Sequence, residues 1–134
     1  MLLFYDTTAG AQFTANVTPD GTFIVVSGDC GPVQGWTHLT ALGDGVVLLY
    51  NAATGDWGTG YVAPDSTMSP VVFGQGQLNP GWTQIAFVGD RELLFYNTDN
   101  GDYYTGFLAF NGTFTDLVSG PGGFRQGWTT IVAP

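Results

Sequence analysis

Side chains able to do covalent chemistry are scarce in this chain. His38 is the single histidine and Cys30 the single cysteine, and both basic residues are arginines, Arg91 and Arg125. With no lysine, Schiff-base and amine-base roles are excluded. A thiol nucleophile needs a base within hydrogen-bond reach, and nothing in the spacing of Cys30 and His38 provides it. Positions equivalent to His38 in two further copies of the same phrase hold Gln84 and Thr130, so a solvent-facing strand residue is expected there. Cys30, without a partner for a disulfide, is expected to be a small buried hydrophobe. The carboxylate pairs Asp99/Asp102 and Asp90/Glu92 have the residue types of a glycosidase pair, and Asp99, Asn100 and Asp102 those of a weak calcium loop. Each set occurs in one copy only and within turn sequence, so solvated turn formers are expected. The chain is expected not to be an enzyme and to hold no metal or cofactor.

Binding chemistry is better represented. A neutral sugar presents C–H faces and hydroxyls, which call for an aromatic platform beside polar acceptors and donors. Gln12-Phe13, Asp56-Trp57 and Asp102-Tyr103 place such residues side by side after a turn. Trp57, with Phe13 and Tyr103 as its equivalents, is a candidate platform. Trp36, Trp82 and Trp128 recur in every copy and have two readings, packing between neighbouring blocks or a sugar platform. The Gly- and Pro-rich loop ahead of each adds Gln34, Gln77, Asn79, Arg125 and Gln126 as hydrogen-bonding groups. The candidate ligand-binding set is Trp36, Trp82, Trp128, Trp57, Tyr103, Asp56, Asp102, Gln34, Asn79 and Gln126.

These residues sit in a repeat. Gly35-Trp36-Thr37, Gly81-Trp82-Thr83 and Gly127-Trp128-Thr129 stand 46 residues apart. Leu2-Leu3-Phe4-Tyr5-Asp6, Leu48-Leu49-Tyr50-Asn51 and Leu93-Leu94-Phe95-Tyr96-Asn97 form a second recurring phrase, followed by Gly10, Gly55 and Gly101. One such block cannot bury its apolar face alone. In the last copy, 93–97 is an apolar strand, Asn100-Gly101 a hairpin turn, 102–110 a second strand, Asn111-Gly112 a turn, 113–118 a third strand, and 127–132 a fourth after a glycine-rich loop. Pro19-Asp20-Gly21 and Pro64-Asp65-Ser66 are the middle turns of the other copies. The chain is therefore expected to be all-β: one domain of three four-stranded antiparallel repeats, about 1–43, 44–89 and 90–134.

Two architectures fit. Three units suit a β-trefoil, since propellers usually have four to eight blades. The apolar runs Val46–Tyr50 and Leu93–Tyr96 do not alternate, as expected of inner strands covered on both faces by neighbouring blades. The first Leu-Leu-Phe-Tyr strand and the last Gly-Trp-Thr strand lack a covalent neighbour and are expected to be exposed edges. The favoured expectation is three propeller blades per chain closing as a dimer into a six-bladed ring, with the trefoil as the rival.

Formal net charge is −9, from 11 acidic and 2 basic side chains in 134 residues. Polyanions would be repelled, so no nucleic-acid partner is expected. No run reaches the roughly 18 apolar residues of a spanning helix, so no membrane insertion is expected. No leader pattern precedes the first strand, and the sequence leaves localisation open.

The wording of the repeat resembles bacterial propeller repeats of the FG-GAP kind: Trp82-Thr83-Gln84-Ile85, then Leu93-Leu94-Phe95-Tyr96, then Asn100-Gly101. That family often has an Asp-rich calcium loop between the two strands. Here it is cut to Gly43-Asp44-Gly45 and Gly89-Asp90-Arg91, so calcium is not carried over. The arrangement is also similar to small propeller lectins of tachylectin character and shares a Trp strand and turn with some trefoil lectins. These resemblances imply carbohydrate binding. The expected function is a multivalent lectin with shallow sites at repeat junctions, glycans as partners and a homo-oligomeric state. The alternative is a non-catalytic structural or interaction module that self-assembles.

Overall fold

The computed structural model describes residues 1–27, 35–65, 67–69, 72–74, 78–109 and 113–133. It contains eleven strands and no helix among these residues: β1 (Leu2–Tyr5), β2 (Gln12–Val17), β3 (Phe23–Ser27), β4 (His38–Ala41), β5 (Val46–Tyr50), β6 (Trp57–Tyr61), β7 (Val72–Phe73), β8 (Gln84–Gly89), β9 (Glu92–Tyr96), β10 (Tyr103–Leu108) and β11 (Phe114–Gly120). They form three antiparallel meanders: β1-β2-β3, β4-β5-β6-β7 and β8-β9-β10-β11. The first sheet has three strands where four were expected. The last Gly-Trp-Thr segment, expected as a strand, runs from 128 to 133 without ladder pairing.

The sheets are out of phase with the sequence repeat. A Gly-Trp-Thr strand does not close the meander before it. It opens the next one: Gln84 stands opposite Tyr96 and Ile85 opposite Phe95, as His38 stands opposite Tyr50 and Leu39 opposite Leu49. The hairpin turns explain this choice. Asp44 and Gly45 have φ of 50° and 78°, and Asp90 and Arg91 have 46° and 66°. Two consecutive positive φ values make a primed turn, whose twist matches the strands it joins.

The turn after each Leu-Leu-Phe-Tyr strand is the same in all three copies. The side-chain oxygen of Asp6, Asn51 or Asn97 accepts backbone N–H groups two and three residues on, with the shorter bonds at 2.8, 2.8 and 2.9 Å. Gly10, Gly55 and Gly101 then donate back to the carbonyls of Asp6, Asn51 and Asn97. A side chain that mimics a backbone turn in this way is the reason for Asx residues here. Gly55 and Gly101 face a further constraint. A Cβ on either would stand 1.9 Å from the Leu78 carbonyl oxygen or 2.2 Å from that of Phe124.

The core lies between the second and third sheets. Leu42, Leu48, Tyr50, Trp57, Leu78, Trp82, Leu93, Phe95 and Leu108 form one buried cluster. Aromatic rings interleave across it: Tyr50 meets Phe95 edge-on at 6.2 Å, Trp57 meets Phe114 at 6.0 Å, and Trp82 lies over Tyr104 at 6.0 Å. Such pairs add about 0.5–1.5 kcal/mol each beyond area burial. β4 and β8 lie side by side without a ladder. The His38 Nε2–H donates to the Thr83 carbonyl at 3.0 Å and the Thr40 hydroxyl to that of Ile85 at 3.3 Å. His38, expected to face solvent, is thus a bridge between sheets.

Candidate functional site

Three of the four tryptophans proposed as platforms are enclosed. Trp36, Trp57 and Trp82 are 4%, 2% and 8% exposed. Of their two readings the structure supports packing, because a covered ring has no face for a ligand to stack on. Trp57 is packed further by Gly74, where a Cβ would stand 2.0 Å from the indole. Trp128 is the exception at 52% exposed.

The loops ahead of the repeated tryptophans are clamped by a tyrosine from the preceding sheet. The Tyr50 hydroxyl donates to the Asn79 carbonyl at 2.7 Å and accepts the Trp82 N–H at 3.4 Å. The Tyr96 hydroxyl donates to the Arg125 carbonyl at 2.6 Å and accepts the Trp128 N–H at 3.4 Å. Burial raises the Tyr50 phenol above its usual value, against the lowering effect of the Trp82 N–H, so the Tyr50 hydroxyl is a neutral donor. Asn79 and Gln126 are exposed, and of Asn79 the clamp uses the backbone only. Gln34, Gln77, Cys30 and the Asn111-Gly112 turn lie outside the described residues.

Tyr103 stacks on Phe124 at 4.4 Å, and Asp102 accepts from the Asn100 side chain at 2.7 Å. Asp56 accepts the Thr54 hydroxyl at 2.7 Å. Both carboxylates thus brace their own turns. Ladder register also corrects an alignment: Tyr5 pairs with Gln12 as Tyr50 pairs with Trp57 and Tyr96 with Tyr103. Gln12, not Phe13, is the counterpart of Trp57. Tyr104 is raised well above the usual phenol range, chiefly by burial and then by its bond to the Asp116 carboxylate.

Three of the shallow clefts among the described residues bear on binding. One, of about 300 Å³, is lined by Arg125, Gln126, Gly127 and Trp128. A second, of about 490 Å³, lies on the first sheet at Phe4, Tyr5, Asp6, Ala11, Gln12 and Phe13, where Phe4 and Phe13 stack at 4.5 Å. The third, of about 430 Å³, lies where the second and third sheets meet at their hairpin ends. It is lined by Leu42, Gly43, Asp44, Phe87, Asp90, Arg91 and Phe107. Sequence reasoning missed this last cleft, having placed the junction site at the opposite end of the sheets. One signal was present: Arg91 occupies a left-handed position where the preceding copy has Gly45.

Among the described residues, no group of three His, Cys, Asp or Glu side chains converges as a metal site, and no helix is long and apolar enough to cross a membrane. Comparison with protein-family models, curated proteins and solved structures returns no match for this chain.

Proposed function

We propose that this chain is a non-catalytic carbohydrate-binding module built on propeller-type blades, with neutral glycans held in a shallow cleft at a blade junction. Propeller rather than trefoil is supported by the ladders. Each stays within one run of sequence, and none among the described residues joins two sheets, whereas closing a barrel requires ladders between units.

The cleft between the second and third sheets carries the glycan reading. Phe87 and Phe107 supply apolar rings, Asp44 and Asp90 acceptors, and Arg91 donors. This is the combination that sugar C–H faces and hydroxyls call for. Arg91 holds φ at 66°, a conformation costing a non-glycine residue about 1–2 kcal/mol. Strain retained at a cleft supports a role for the side chain. The net charge of −9 disfavours anionic ligands and is compatible with an uncharged one. Display of several copies on one assembly gives weak sites useful avidity.

The test is a glycan array followed by calorimetry on Arg91→Gly and Phe107→Ala. Arg91→Gly relieves the strained turn, so it is expected to fold at least as stably while binding at least about tenfold more weakly, a loss of about 1.4 kcal/mol. No glycan bound at millimolar concentration, or undiminished binding by both variants, refutes the proposal. A second reading, an interaction module that assembles through its sheet edges, is favoured by the position of β1 at the end of its sheet.

A further inference from the structure

Among the described residues, the first sheet lacks the strand that opens the other two, and segment 128–133 has the sequence of that strand but joins no ladder. Its anchoring matches that of the segment leading into β8. The Tyr96 hydroxyl holds the Arg125 carbonyl and the Trp128 N–H at 2.6 and 3.4 Å, against 2.7 and 3.4 Å for Tyr50 with Asn79 and Trp82. Gly127 donates to the Thr98 carbonyl at 2.9 Å, as Gly81 donates to that of Ala52 at 2.8 Å. The third sheet thus presents 128–133 as the second sheet presents β8, at the start of a further sheet.

Exposure locates the missing contact on both sides. Trp128 is 52% and Val132 80% exposed, while Trp36 and Trp82 are buried. On β1, Leu2 and Phe4 are 44% and 36% exposed, while their counterparts Val47, Leu93, Leu49 and Phe95 are all at 7% or below. Each surface is what the other would cover.

We propose that segment 128–133 of one copy adds to the β1 edge of a second copy, completing its first sheet, and that two reciprocal junctions close a twofold dimer of six four-stranded sheets. The register follows from β4–β5 and β8–β9: Thr130 opposite Tyr5, Ile131 opposite Phe4, Val132 opposite Leu3 and Ala133 opposite Leu2. Thr37 and Thr83 each donate their N–H to the tyrosine carbonyl of the following strand and accept an N–H two residues beyond it. Thr129 accordingly takes the Tyr5 carbonyl and the Thr7 N–H of the second copy. One bond is forgone: the Asn97 amide donates to the Gly81 carbonyl at 3.0 Å, and Asp6 in the equivalent place has no such donor. Two copies give six sheets, within the usual four to eight of closed rings, and a reciprocal junction uses the same two surfaces on both copies and so closes.

The proposal rests on the blade reading but not on carbohydrate binding, since the cleft at Arg91 lies within one copy. Light scattering of the 134-residue protein is expected to give twice 14.2 kDa. Val132→Pro and Ile131→Pro alter a segment that makes no ladder within its own copy, so both are expected to give 14.2 kDa species with unchanged β-type circular dichroism. In the parent protein, hydrogen exchange is expected to protect Leu3, Tyr5, Thr130 and Val132 together, and the proline variants to lose that protection. A monomeric parent, an assembly larger than two, or proline variants that stay dimeric would each overturn the proposal. Any glycan binding would survive per copy in the monomeric variants, which separates the two failures.

Discussion

Tyr50→Phe tests the clamp that sets one sheet against the next. The tyrosine is fully buried, its ring meets Phe95 at 6.2 Å, and its hydroxyl donates to the Asn79 carbonyl at 2.7 Å. Phenylalanine keeps the ring contact and removes the hydroxyl alone. The Asn79 carbonyl then loses its donor and the Trp82 N–H its 3.4 Å acceptor. A hydrogen bond is worth about 0.5–1.5 kcal/mol net, and a polar group left buried and unsatisfied costs about 1–3. Asn79 is an exposed residue, so water can recover part of the loss, and a cost of about 1–2 kcal/mol is expected. Unfolding entropy of about 2.1 cal/mol/K per residue over 134 residues makes about 0.28 kcal/mol/K, so the melting temperature should fall by about 4–7 °C. Urea unfolding is the direct assay. The midpoint should drop while the slope stays constant, because the surface exposed on unfolding is unchanged. A loss below about 0.3 kcal/mol would refute the clamp, and a changed slope would show that the substitution had altered more than one bond.

Two other substitutions probe the packing and the turns. Gly106→Ala places a methyl group 2.1 Å from the Phe114 ring. Overpacking of this kind costs about 1–3 kcal/mol, and Gly106→Ala/Phe114→Leu is expected to recover part of it in the same urea assay; an alanine variant as stable as the parent would contradict the packing. Asp20 is held at about 2, first by the Thr18 hydroxyl and then by the Thr22 N–H. Because the folded value lies below the ordinary 3.8, this turn's contribution is present above pH 3.8 and fades as pH falls toward 2. An NMR titration should find the Asp20 midpoint near 2, and Thr18→Val should return it toward 3.8. A parent midpoint already at 3.8 would show that the hydroxyl is not bound.

Local instructions were legible in the amino-acid sequence. The recurring Asx-to-glycine turn is written in three to five adjacent residues, because a side-chain oxygen so close to its own backbone needs no distant partner to fold it. The all-β class followed from short apolar runs cut by such turns, and the place of β1 at the end of its sheet followed from the phase of the repeat, whereas 128–133, expected as an edge strand, joins no ladder among the described residues. Tertiary structure alone decided the rest. The primed turns at Asp44-Gly45 and Asp90-Arg91 join each of the first two Gly-Trp-Thr strands to the strand after it, but which sheets then pack on one another is not written locally. Trp57 and Trp82 could equally have been platforms or packing until Phe114 and Tyr104 were placed against them. The junction cleft draws on Leu42 and Asp44 from one hairpin end, Phe87 and Arg91 from another, and Phe107 from a third strand. Residues that meet only when two sheets pack leave no spacing in the chain to find them by.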